Sequence, residues 1–262
     1  MIRKTLILLF LPAVLLCQQQ SPKAMKVIID AGHGGYDAGA VSDYGTKEKD
    51  VTLEMALLLK KHIEEPSEPP VTAILTRSED KFVPLIERVG LANKSEGDLF
   101  ISLHMNASPA KRDNGYEVYF YDSMGDAETA AVAKRENEQD GGADYKDKNN
   151  PLFILWDLAQ NEFSKESAEA SDVIQSALDG ALNRNADVSL KLRDRGVKQA
   201  NFLVLNGMKM PSVLLEMGFL TNRNDEEKFK KVEFKERYAA TIADAVRQIR
   251  QKFDKKSETT IR

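Results

Sequence analysis

Hydrophobic positions along this chain follow two alternating rhythms. Short continuous apolar runs occur at Lys26–Asp30 (KVIID), Val71–Thr76 (VTAILT), Asp98–His104 (DLFISLH) and Ser212–Glu216 (SVLLE), and they read as buried strands. Gly115–Tyr121 (GYEVYFY) alternates and reads as another strand, and Phe202–Leu205 is read as a sixth. Between these runs the spacing lengthens to three and four. Asp50–Glu65 carries Val51, Met55, Leu58 and His62 on one face and is stopped by Pro66, Pro69 and Pro70. Leu85–Ser95 and Ser164–Leu182 are further helices, and Tyr238, Ile242, Val246, Ile249 and Phe253 stripe a long last one. Lys255–Arg262 is expected to be a frayed tail.

Strands alternating with helices predict an α/β fold of three layers: a mostly parallel or mixed sheet of about six strands with helices on both faces. Residues 122–163 interrupt the alternation. An alanine-rich stretch of helical propensity (DAETAAVAKREN) leads into a polar loop and then an apolar stretch with Trp156. A connection of this length inside a compact domain points to function, so 122–163 is marked as a helical insertion.

Composition narrows the class. The 262 residues are 42% hydrophobic and 30% charged, which excludes a polytopic membrane protein. A net charge of -4 gives no electrostatic case for a nucleic-acid partner. The single cysteine, Cys17, excludes an internal disulfide framework. Arg3 and Lys4 precede an apolar run from Leu6 to Cys17, too short to span a bilayer but suited to a signal-peptide core. Residues 1–17 are therefore read as a signal peptide and 18–25 as a short lead-in to a domain over 26–254. Export to the periplasm is expected; a lipid anchor on Cys17 is the alternative, ranked second because the bulky Leu16 precedes the cysteine.

Candidate chemistry gathers where strands end. In α/β sheets, ligands sit at the carboxyl ends of strands. His33, in the glycine-rich AGHGG turn, His104 and Glu216 all fall there. Two histidines and a carboxylate, Glu48 in GTKEKDV, suit a zinc site, although the spacing forms no compact motif and a structural role for each stays open. His62 reads as an ordinary helix residue. Glu216 ends an apolar run, so its buried carboxylate needs a partner. Either an arginine such as Arg77 or Arg88 supplies it, or the group works beside a metal as a proton carrier.

The segments VIIDAGHGG, KEKDVTLEMA, LTRSED, LIERVGLAN, DLFISLHMNAS, GYEVYFY, RGVKQANFLVL and MPSVLLEMGFLTN, in this order, resemble the zinc-dependent N-acetylmuramoyl-L-alanine amidases of bacterial cell-wall turnover. The resemblance runs over roughly residues 25 to 254. It implies one zinc held by His33, Glu48 and His104, with Glu216 as catalytic glutamate activating zinc-bound water against the lactyl carbonyl. Peptidoglycan is the implied substrate, cut between N-acetylmuramic acid and L-alanine. Asn106 is expected to hold substrate or order its turn, and Arg88 and Arg195 to be structural or peripheral. Longer members of this family, which act in daughter-cell separation, carry a helical insertion that occludes the zinc cleft and is moved by activators of the degenerate LytM-peptidase type. Residues 122–163 then become a plug, with Glu136 or its neighbour Glu138 reaching the zinc, and Leu152, Leu155 and Trp156 holding the plug or meeting the activator. A monomer is expected. The rival readings are a zinc peptidase acting on other peptides and a non-catalytic wall-binding protein. The GHGG turn and MPSVLLEMGF argue against the first, and the full set of ligands and base against the second.

Overall fold

The structure, a computed structural model, describes residues 24–66, 70–123, 126–138, 163–184 and 187–260. The expected leader with Cys17, and Leu152, Leu155 and Trp156, lie outside them.

Six strands form one sheet: β1 (Met25–Ala31), β2 (Val71–Leu75), β3 (Leu99–Asn106), β4 (Tyr116–Tyr121), β5 (Asp194–Ala200) and β6 (Ser212–Phe219). Their order is β2-β1-β3-β6-β4-β5. All neighbouring pairs are parallel except β4 with β6, so the sheet is mixed. β1, β3 and β6 lie adjacent at the centre and point the same way, which brings the ends carrying His33, His104 and Glu216 to one edge.

The central strands are predominantly apolar because both faces are covered. Val27, Ile29, Ile101, Leu103, Val213 and Leu215 face a core formed with helices α1 (Glu48–Ile63), α4 (Ser164–Leu182) and α6 (Val232–Thr260). Ile28, Phe100 and Leu214 point the opposite way, into a second core with α2 (Leu85–Lys94) and Ala133 of α3 (Ala127–Asn137). The strand period of two thus sorts consecutive residues into two layers. A short helix α5 (Arg223–Phe229) leads into α6, its N-cap Asn222 accepting from the Asn224 amide at 3.0 Å.

Two expectations are corrected. Phe202–Leu205 is not a strand. It forms turns, and Phe202, Val204 and Leu205 are buried by packing into the second core. The strand in that region is β5, whose sequence DRGVKQA carries no apolar run because it sits at the sheet edge, half-buried. The expected frayed tail over 255–262 is helical backbone as far as Thr260, an extension of α6. The alanine-rich stretch expected to be helical is α3, started by Asp126, which caps the Thr129 amide at 2.8 Å.

Candidate metal centre and active site

At the end of β1 the chain turns sharply, and His33 adopts φ +60°. This left-handed conformation costs a residue with a side chain about 1–2 kcal/mol. Two buried arginines hold it. Arg88 donates from Nη2 to the His33 carbonyl at 2.7 Å and from Nη1 to the Ala31 carbonyl at 2.6 Å. Arg77 donates from Nε to the same Ala31 carbonyl at 2.9 Å and from Nη2 to the Gly32 and Lys49 carbonyls, each at 2.8 Å. Arg88 also pairs with the buried Asp30 at 2.7 Å, which accepts from Thr76 and Ser102 at 2.6 and 2.8 Å. Both arginines are committed to this turn, so neither is the partner of Glu216.

The turn presents the His33 ring to Glu48, the first residue of α1, and to His104 of β3. His33 Nε2 lies 3.1 Å from Glu48 Oε1, and His104 Nδ1 lies 3.0 Å from the same oxygen. The two imidazoles meet edge to face with centroids 5.0 Å apart. Glu48 is fixed by the Met105 amide on Oε1 at 2.9 Å and the Ala40 amide on Oε2 at 2.8 Å. His33 Nδ1 bonds to Asp37 Oδ2 at 2.8 Å, a carboxylate that orients the ring and leaves Nε2 aimed at the cluster. Two glycines make the cradle close: a Cβ on Gly32 would come within 2.5 Å of the His104 ring, and one on Gly39 within 2.6 Å of Glu48 Oε2.

A fourth buried group joins from α3. Glu136 Oε2 lies 3.1 Å from His33 Nε2 and 3.0 Å from His104 Nδ1. One donor atom from each of His33, Glu48, His104 and Glu136 lies within 4.8 Å of the others. Tetrahedral ligands at zinc distances stand about 3.3 Å apart, close to these separations. The electrostatics also suit a cation. Burial alone would lower both imidazoles, yet the charge of Glu136 leads in raising His104 to about 9, and Glu48 leads in lifting His33 well above its ordinary value. Burial would raise Glu48, but the His33 charge and the hydrogen bonds of His104 and His33 together hold it at about 2. Two nitrogens and two carboxylate oxygens under strong negative potential are a donor set that fits a divalent zinc ion.

Glu216 stands beside this cluster. It is wholly buried, and neither carboxylate oxygen has a hydrogen-bond partner among the described residues. Its nearest ion-pair partner is Arg135 of α3, with Nη2 at 3.7 Å. Burial first, and the charge of Glu136 second, push its carboxyl well above the usual range.

The other expected residues separate cleanly. Glu138 is not in the cluster: its side chain is 62% exposed, with Lys134 at 3.9 Å. His62 pairs with Glu65 and Glu236 at 2.9 and 2.6 Å on the far part of α1. Asn106 joins two elements, accepting from Arg135 Nη2 at 3.0 Å and donating to Glu117 of β4 at 2.9 Å. Arg195 binds Glu117 and Glu128 and does not touch the cluster.

Sequence reasoning missed Asp37, Arg135 and Glu117. Asp37 stands four residues after His33 in GHGGYD, a pattern that carried a signal. Arg135 gave none, since its partners Asn106 and Ala107, the latter's carbonyl accepting at 2.7 Å, are remote in sequence.

Fold and site together define an α/β protein with a buried two-histidine, carboxylate-rich centre at the carboxyl edge of a mixed sheet. Within that class the chain belongs to the Amidase_3 family, N-acetylmuramoyl-L-alanine amidase, whose profile matches residues 27–248. It is 35% identical over 240 residues to N-acetylmuramoyl-L-alanine amidase AmiA of Escherichia coli K12, covering 86% of this chain and 78% of the relative. Against AmiC of Escherichia coli O6:H1 it is 33% identical over 225 residues, covering 84% of this chain but about half (52%) of that relative. Among solved structures it resembles the N-acetylmuramoyl-L-alanine amidase of Clostridium difficile 630 at a TM-score of 0.65 and 26% identity, covering 86% of this chain and 96% of that one.

Proposed function

We propose that this chain hydrolyses the amide joining N-acetylmuramic acid to the L-alanine of the peptidoglycan stem peptide. The observation that carries this reading is the meeting of His33, Glu48 and His104, with the buried carboxyl of Glu216 in register beside His104 and without a hydrogen-bond partner among the described residues. The family match and the amidases AmiA and AmiC support the substrate class.

In this reading His33, Glu48 and His104 hold one zinc ion, and Asp37 fixes the tautomer of His33. When bound, zinc supplies a Lewis acid for the carbonyl and lowers the pKa of water to about 7. Glu216 takes the proton from the attacking water and returns it to the alanine nitrogen, which departs as an amine. Neither of its oxygens is committed to a hydrogen bond among the described residues. Asn106 and the Ala107 carbonyl, side by side at the end of β3, are placed to position the substrate.

The resting state is closed by α3. Glu136 takes the fourth donor position, while Arg135 covers Asn106, the Ala107 carbonyl and Glu216. Activity then requires the insertion over 122–163 to move, the task of a LytM-type activator in wall turnover and daughter-cell separation. The leader over residues 1–17 directs export to the periplasm.

The test is mass spectrometry of the products released from peptidoglycan by the purified chain and by its Glu136→Ala variant, with and without a chelator. Expected are stem peptides with a free L-alanine amine, lost on chelation and restored by zinc. Cleavage at another bond, or silence of both proteins, overturns the reading.

A further inference from the structure

Arg195 and Lys198 stand close together on β5, with side chains only 17% and 19% exposed. Both cations reach the same two carboxylates. Arg195 Nε donates to Glu117 at 2.5 Å and its Nη2 to Glu128 at 2.9 Å. Lys198 Nζ donates to Glu117 at 2.9 Å and to Glu128 at 3.0 Å. Glu117 is permanent: it is buried in β4 and also accepts from Tyr119 at 2.7 Å and Asn106 at 2.9 Å. Glu128 is not, because it belongs to the first turn of α3 and its side chain is 62% exposed. Two cations and two anions balance while α3 is in place. When the helix leaves, Glu128 goes with it, as does Asp126, whose charge also feels Lys198. The two cations then share one carboxylate, Glu117.

This pair lies next to the centre. Glu117 is the register partner of Glu216, and its hydrogen-bond partner Asn106 lies two residues beyond His104. The same helix therefore places one carboxylate, Glu136, on the two histidines and another, Glu128, on the basic pair. A guanidinium with an ammonium beside it is a strong receptor for a carboxylate.

We infer that Arg195 and Lys198 form a subsite for a carboxylate of the peptide substrate, and that Glu128 fills it in the resting state as a stand-in for that group. The inference rests on the stem-peptide amidase reading and adds to it where the peptide is gripped. Eight residues of helix separate Glu128 from Glu136, about 12 Å of rise. An extended peptide covers that span in about three to four residues. The recognised carboxylate thus lies that far along the peptide from the scissile amide.

The experiment titrates the full chain with two synthetic L-alanine-led tetrapeptides, one with free carboxylates and one with all of them amidated. Calorimetry at low ionic strength compares Glu136→Ala, Glu136→Ala/Glu128→Gln and Glu136→Ala/Glu128→Gln/Lys198→Ala, each checked for folding by circular dichroism and thermal melting. Adding Glu128→Gln is expected to tighten the carboxylate peptide about tenfold and leave the amidated one unchanged, and Lys198→Ala is expected to erase that gain. An equal gain for both peptides, or none in a folded variant, overturns the subsite. The amidase reading fails on a different result, the absence of L-alanine-terminated peptides from wall digests, so the two failures are distinguishable.

Discussion

His104 and Glu216 are register partners on the parallel pair β3–β6. Hydrogen bonding between the two backbones thus fixes an imidazole of the cluster beside the buried carboxyl of Glu216, without help from any loop. Glu216→Gln keeps the shape and removes the group that takes up and returns the proton. We expect hydrolysis to fall by about 10²–10⁴-fold, the usual contribution of a proton carrier. Thermal stability should stay level or rise, because a buried carboxyl without a hydrogen-bond partner among the described residues is replaced by a neutral amide. Turnover on purified peptidoglycan and a melting curve check both halves.

Glu136→Ala should raise resting activity. A hydrogen bond to a charged group contributes about 1.5–3 kcal/mol, so the open fraction should increase by about 10–100-fold. Glu138→Ala is the control. Its carboxylate lies out in solvent near Lys134, and no gain is expected. A parent-like rate of product release from peptidoglycan by Glu136→Ala would remove α3 from the regulation of this site.

Gly39→Ala should damage the centre without altering a ligand. Its Cβ would stand 2.5 Å from the His33 ring and 2.6 Å from Glu48 Oε2, at a backbone φ of +61°. Zinc affinity should drop by about 10–100-fold, as for the loss of an outer-shell partner. Competition with a fluorescent chelator measures it.

Acid sensitivity should trace to Asp30. Burial pushes its carboxyl up, but the Arg88 charge and the hydrogen bonds from Thr76 and Arg88 together more than offset this and hold it below the usual range. A lowered folded value contributes stability that is fully present above the unfolded pKa of about 3.9 and is lost as pH falls through the folded value. Asp30→Asn should flatten the fall in melting temperature below about pH 4. It should also cost about 3–5 kcal/mol at neutral pH, since Arg88 loses its buried partner. Urea unfolding across the pH range separates the two effects.

The layered fold was legible because β1, β3 and β6 are covered on both faces and therefore show as unbroken apolar runs ending in polar residues. The polar ends were themselves the site. β5 was illegible for the converse reason: an edge strand has one neighbour and half-exposed side chains, and DRGVKQA needs no apolar run. Phe202–Leu205 misled because an apolar segment packs equally well as a turn over the second core. Glu136 could be named from its helix and its insertion, but its choice over Glu138 could not. That depends on which way α3 faces, and Ala133 and Glu136, three residues apart, both point inward while Glu138 points out. Arg135 and Glu117 act across elements distant in sequence, where spacing carries no information.

The guanidiniums of Arg77 and Arg88 grip the His33 turn by its carbonyls and not by the imidazole. The ring is thus posed by cations the chain brings with it, and the apolar layers close on either side of the sheet independently of the ligands. The pose of the ring is therefore a property of the fold, and the same carbonyl grip stands whether or not an ion is held. A zinc centre, in the function proposed above, would be assembled on a shape already made.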